Sequence, residues 1–222
     1  TSASVNISNP GNLQVRVRAT DAGGGGDIIE GGIDNVRICP GTAPPTCSVE
    51  ESFEGGIAGW TNSTASTCAT GRFILDTPTE VVTGGVTTQP GGDHTSGTGN
   101  AIFTAVNTAA GTDDVDAGIC ILTSPVYSIT EPSNLSAWIF HGQRDAGDDS
   151  GDLFLFEVSR DGGSTWSILE SFGDETVNAI WSEAAGTAEA GDQVQFRVQV
   201  VDGTGGGDLI EAGINDVSIC PR

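Results

Sequence analysis

LQVRVRATDAGGGGDIIEGGIDNVRICP, residues 13–40, returns near the other end of the chain as VQFRVQVVDGTGGGDLIEAGINDVSICP, residues 194–221. The two segments align without a gap, 16 of 28 positions are identical, and Cys39 and Cys220 stand 181 residues apart. A constant, ungapped period is the mark of a tandem array. Leu13 to Ala19 alternates apolar and polar as a half-buried strand does. The glycine run Gly23–Gly26 interrupts it, and Ile33 to Cys39 reads as a second strand. A lone hairpin is marginal in water. Residues 1–40 therefore read as the closing strands of a preceding repeat, 41–47 as a proline-bearing linker, and 48–222 as one whole repeat. Head-to-tail contacts between neighbouring copies are the expectation.

The rest of the chain reads as short strands between Gly, Asp and Pro turns. Ser48–Phe53, Arg72–Leu75, Ala101–Ala105, Gly118–Leu122, Ser136–His141, Leu153–Ser159, Ser164–Ser171 and Val194–Val200 are candidates. No amphipathic helix stands out. The fold class expected is all-β, a jelly-roll β-sandwich. Trp60 and Trp138 are assigned to its core. Trp166 and Trp181 stay open between core edge and a sugar-stacking platform.

Thirty acidic residues face eight arginines, with no lysine, for a net charge of −22. Nucleic-acid binding is excluded, because phosphates require a basic surface, and an anionic membrane surface is excluded on the same ground. No apolar run reaches the length of a membrane span. A chain so acidic suits divalent-cation binding or solubility at high salt. Cys39 and Cys220 are one position in successive units, so a period holds Cys39, Cys47, Cys68 and Cys120. The expected disulfides are Cys39–Cys47 across the linker and Cys68–Cys120 within the body, with Cys220 left for the next repeat. Disulfides imply an oxidising, extracellular setting. Asn6, Asn62 and Asn134 open glycosylation sequons.

Four stretches resemble the MAM-like, cleaved-adhesin type of bacterial jelly-roll domain. Glu51-Ser-Phe-Glu-Gly-Gly-Ile-Ala-Gly-Trp60 resembles its opening strand and turn, and Asp114-Val-Asp-Ala-Gly-Ile-Cys-Ile-Leu-Thr-Ser-Pro125 its mid-domain strand. Phe156-Glu-Val-Ser-Arg-Asp-Gly-Gly-Ser-Thr-Trp166 resembles its DGGxxW hairpin, and Ala212-Gly-Ile-Asn-Asp-Val217 its closing strand. The resemblance spans residues 48 to 220 and implies a calcium-bearing module of secreted proteins. It leaves the ligand open. The four-cysteine framework, the absence of lysine, and Asn215 in place of the earlier copy's Asp34 depart from the pattern.

Catalysis needs a nucleophile–base or acid–base pair held in place. His94 and His141 are the only histidines, and no zincin, hydrolase or P-loop motif is present. The chain reads as non-catalytic. Calcium takes six to eight hard oxygen ligands, and three acidic groupings are dense enough to supply them. The family pattern favours Glu54 with Asp113, Asp114, Asp116, Asn215 and Asp216. Asp202, Asp208 and Glu211 form another, copied as Asp21, Asp27 and Glu30. Asp145, Asp148, Asp149 and Asp152 form the third. For each of these last two, a solvated acidic loop is the competing reading. The expected role is a calcium-stabilised structural or adhesive repeat of a surface stalk, sheath or filament. The alternative is a carbohydrate-binding accessory module of a secreted hydrolase, with polysaccharide as the partner.

Overall fold

A computed structural model describes residues 16–18, 46–104, 109–147, 150–203 and 208–222. The chain divides into two compact units, Thr1–Thr46 and Cys47–Arg222. In the first, Arg16–Arg18 are exposed and outside regular structure. Val17, expected on a buried face, is 50% exposed. The same sequence position in the second unit, Val198, is fully buried, because there a second layer of sheet covers it. The other residues of the expected hairpin, with Asn6, Cys39 and the linker up to Pro45, lie outside the described residues.

The second unit is an all-β sandwich of the jelly-roll class, with antiparallel strand pairing in both sheets. One six-stranded sheet runs β12 (Ser182–Ala188), β9 (Ser133–Gln143), β14 (Ile210–Pro221), β6 (Ala101–Phe103), β3 (Ile74–Asp76), with β1 (Val49–Glu51) also on β14. The other runs β11 (Ser167–Phe172), β10 (Leu153–Ser159), β13 (Gln193–Asp202), β7 (Gly118–Thr123), β2 (Thr61–Asn62), with β8 (Tyr127–Ser128) on β13. A separate hairpin, β4 (Val81–Thr83) and β5 (Val86–Gln89), turns at Gly84 and Gly85. Both glycines have positive φ, 58° and 84°, the requirement of a tight two-residue turn whose twist matches its strands.

Alternation builds the core. Along β13, Val194, Phe196, Val198 and Val200 all point inward and are fully buried; each contributes roughly 1.5–3 kcal/mol. Phe156 and Trp60 stack on Phe196 at 5.8 and 6.3 Å, and Phe53 meets Trp60 edge-on. Trp60 is thus core, as expected. Trp138 is not: it faces outward from β9, and His94 stacks on it at 3.5 Å. Inward positions on β9 are odd-numbered, such as Leu135, Ala137 and Ile139, and 138 falls on the other face. Trp181 packs on Phe140 in a smaller apolar layer on the outside of the first sheet.

Two disulfides close the unit. Cys68–Cys120 forms as expected. The second is Cys47–Cys220, which replaces the expected Cys39–Cys47 bridge and leaves no Cys220 thiol for a following repeat. Register is the reason. β1 pairs with the end of β14, Val49 opposite Ile219, and the Ser48 amide donates to the Ile219 carbonyl at 2.8 Å. That pairing sets Cys47 beside Cys220 across 173 residues of sequence. In the chain-entropy model a loop of this length is worth about 5 kcal/mol, and the Cys68–Cys120 loop about 4. A non-reducing peptide map is expected to link Cys47 to Cys220. Cys47→Ser combined with Cys220→Ser is expected to lower Tm by ~10–20 °C, read by calorimetry; a fall below a few degrees would show the bridge to be peripheral to the fold.

Candidate metal centre

At one end of the sandwich the inward-facing positions turn from apolar to acidic. Asp202 ends β13 on the side that carries Val198 and Val200, Asp152 precedes β10 on the side of Phe154, and Asp208 leads into β14. Their relative exposures are 5, 2 and 2%. One carboxylate oxygen from each lies within 4.8 Å of the others. Asp202 accepts the Ala117 amide at 2.6 Å. Asp152 accepts the Gly203 amide at 2.9 Å and the Gln143 side-chain amide at 2.8 Å. Gln143, fully buried on β9, keeps its Oε1 without a partner among the described residues.

Two more buried acids stand close by. Asp114 is 2% and Glu211 1% exposed, and Asp114 Oδ1 and Glu211 Oε2 lack hydrogen-bond partners among the described residues. Burial, then the Asp116 charge, push the Asp114 carboxyl up to about 6. Burial, then the Asp114 charge, push Glu211 up to about 8. Burial, with an opposing bond from Gly203 and the nearness of Asp208 and Asp202, leaves Asp152 at about 7. Arg144 is the guanidinium that faces Asp114, and it is committed to Asp145 through three hydrogen bonds of 2.6 to 3.0 Å. Charges withdrawn from water are tolerated when paired or bound to metal. Here several carboxylates share one guanidinium. The donors are hard oxygens with no thiolate or imidazole in the group, the set that suits calcium or magnesium rather than zinc.

The three acidic groupings read from the sequence are rearranged by the fold. Asp202 and Asp208 meet Asp152, while Glu211 leaves them for the other face of β14. Asp145 belongs to Arg144; Asp148 and Asp149 lie outside the described residues. Of the family-favoured set, Glu54 and Asn215 converge on Asn100: Glu54 accepts its amide at 2.8 Å, and Asn215 donates to its carbonyl at 2.8 Å and to that of Ser52 at 3.2 Å. Asn215 is fully buried, with Oδ1 unpartnered among the described residues. Asp216 does not join them. It sits in a bulge of β14 with a left-handed φ of 44° and accepts hydrogen bonds from His94, at 2.7 Å, and from Thr95. Asp116 accepts the Thr70 hydroxyl at 2.8 Å. Asp113 belongs to no cluster of three or more acidic, histidine or cysteine ligand atoms among the described residues. Sequence reasoning missed Gln143, and nothing local in the chain marks it.

No family model and no curated protein matches the chain. Among solved structures, it is similar to the K1 cleaved adhesin domain of Lys-gingipain from Porphyromonas gingivalis, with TM-score 0.48 and 11% identity over 78% of this chain and 98% of that one. The K3 cleaved adhesin domain of the same protein gives 0.47 and 14%, over 80% of this chain and all of that one. The C-terminal family 22 carbohydrate-binding module of Clostridium thermocellum Xyn10B gives 0.40 and 11%, over 79% and 94%.

A carboxyl whose pKa is raised by folding stabilises the fold only while protonated; that contribution is complete below its unfolded pKa and lost as pH rises through its folded one. Asp114, Asp152 and Glu211 therefore destabilise the metal-free protein progressively from about pH 4 to 8. His141 acts the other way. Burial holds it down to about 4, stacked between Phe154 and Phe172, so its contribution is present above its unfolded value and fades as pH falls through the range 6.5 to 4. Three acids outweigh one histidine. In excess chelator, Tm is expected to fall by roughly 5 °C or more between pH 5 and 8; a rise over that interval in a scanning-calorimetry series would contradict the assignment.

Proposed function

We propose that this chain is a non-catalytic, extracellular structural or adhesive module whose sandwich is stabilised by calcium. The observation that carries the calcium reading is the convergence of Asp152, Asp202 and Asp208, all buried, to within 4.8 Å. Their carboxylates are the groups that would hold the ion, with the Gln143 side-chain amide fixing Asp152. Bound there, it would neutralise charge that the fold otherwise gathers at a cost. Two disulfides support an oxidising compartment, and the surface remains strongly acidic.

The repeat supports a modular array. In the second unit, residues 194–221 supply β13 and β14, the central strands of their sheets. Residues 13–40 carry the same apolar positions in sequence, so in such an array they would serve as the equivalent strands of a preceding unit. Asp21, Asp27 and Glu30 would then repeat the acids 202, 208 and 211 there.

A second reading, carbohydrate binding, has one observation in its favour. On the outward face of the second sheet, Arg197 lies over Trp166, 4.0 Å from the ring centroid. Glu157 accepts from Arg197 at 2.7 Å and from Gln199 at 2.6 Å. This is a single ring with one face already covered, rather than a strip of open aromatics.

Saturating calcium is expected to raise Tm by ~5–10 °C at neutral pH, corresponding to about 2.7 kcal/mol at a hundredfold excess over Kd. Asp208→Asn should abolish most of that gain and Glu54→Gln should leave it in place. The opposite pattern would move the ion to the Glu54–Asn215 site. Retardation in gels containing soluble β-1,4-linked polysaccharide, lost in Trp166→Ala, would favour the carbohydrate reading over the structural one.

A further inference from the structure

Glu211 has the opposite orientation to the end-of-sandwich triad. Ile210, Ala212 and Ile214 point into the core, so Glu211 projects from the outer face of the first sheet. It is nevertheless 1% exposed. The cover is the β4–β5 hairpin. Glu211 pairs with Gly142 across β9, and a Cβ at Gly142 would lie 2.0 Å from the Thr88 carbonyl oxygen, so the β5 backbone rests directly on this pair. The Thr88 side chain is fully buried and its hydroxyl lacks a partner among the described residues. It leans toward Glu211. From the side, the Val115 amide donates to the Ile210 carbonyl at 3.1 Å, which brings Asp114 against the Glu211 end of the strand. Three buried oxygens around this end of the strand thus have no hydrogen-bond partner among the described residues: Glu211 Oε2, Asp114 Oδ1 and Thr88 Oγ1.

We propose that Glu211, Asp114 and Thr88 form a second divalent-cation site beneath the β4–β5 hairpin, separate from Asp152, Asp202 and Asp208. A hydroxyl and two carboxylates are hard-oxygen ligands of the calcium type, and backbone carbonyls of β5 are at hand to complete the shell. The ion would fasten a hairpin that pairs with neither main sheet. Gly142 is then required by the close approach that builds the site. Glu211 leaves β14 on the face opposite the triad, while Asp114 also feels the Asp202 charge, so separate variants are what distinguish the two sites.

Calorimetric titration of the whole chain with calcium chloride tests it. Glu211→Gln preserves shape and is expected to remove one bound calcium per chain relative to the parent protein. Asp208→Asn is expected to remove a different one, and the double variant both. Thr88→Val, a milder change, is expected to weaken one binding event by at least ~10-fold. Unchanged stoichiometry and affinity in Glu211→Gln and Thr88→Val would overturn the site and leave Glu211 a protonated acid or a partner of trapped water. Loss of calcium in Glu211→Gln with none in Asp208→Asn would uphold this site and remove the triad.

Discussion

Alternation along β14 is the constraint on which the remaining features depend. This twelve-residue strand pairs with β9, β6 and β1. Successive side chains must leave opposite faces. Its inward residues close the core, and its outward ones decide what lies on the first sheet's exterior. Asp208, leading into the strand, goes to the interior end of the sandwich. Glu211, three residues on, goes to the outside. The bulge at Asp216 then breaks the alternation once, and that acid turns toward His94 rather than joining Asn215. At its far end the pairing with β1 delivers Cys220 to Cys47.

The acidic composition acquires a different meaning once burial is known. A net charge of −22 spread over a solvated surface is a solubility device. Five carboxylates nearly removed from water are a concentrated electrostatic cost, and Arg144, the guanidinium facing Asp114 among the described residues, is already bound to Asp145. Protonation or a divalent ion relieves that cost, and the two respond oppositely to rising pH. Folding stability and ion content are therefore linked through the same side chains.

The outer face of the first sheet is built as a second layer. Phe103, Phe140 and Ala101 form its apolar floor, with Trp181 packed against it and donating to the Gly92 carbonyl at 3.1 Å. The loop around Asp93 caps the neighbouring stretch. Burial pushes that carboxyl up, but bonds from Ser96, Gly99 and Thr98 carry it down to about 2. His94 from this loop stacks on Trp138, and Asn100 at its end receives Glu54 and Asn215. The segment between 77 and 100, polar and glycine-rich, is thereby an ordered cover for a sheet.

Much of the architecture was legible in the chain. Leu153–Ser159 and the alternating run at 194–200 identify strands because the period-2 pattern is a local property. The four family-like stretches anticipate the sandwich; the cysteine count implies two bridges per period but leaves their pairing open, and Cys68–Cys120 forms while Cys39–Cys47 does not. The hairpin at Val81–Gln89 carried its own signal in Gly84-Gly85 between β-branched residues and was passed over in a polar stretch. β12, SEAAGTA, carried none: small and polar residues have little strand preference, and its place is set by pairing with β9. The acids show the limit most clearly. Sequence proximity placed Asp202, Asp208 and Glu211 together and Asp152 elsewhere, and it set Cys47 with Cys39. Which oxygens or sulfurs meet depends on strand register and on which face each residue leaves, and those are fixed only when β14 pairs with strands far away in the chain.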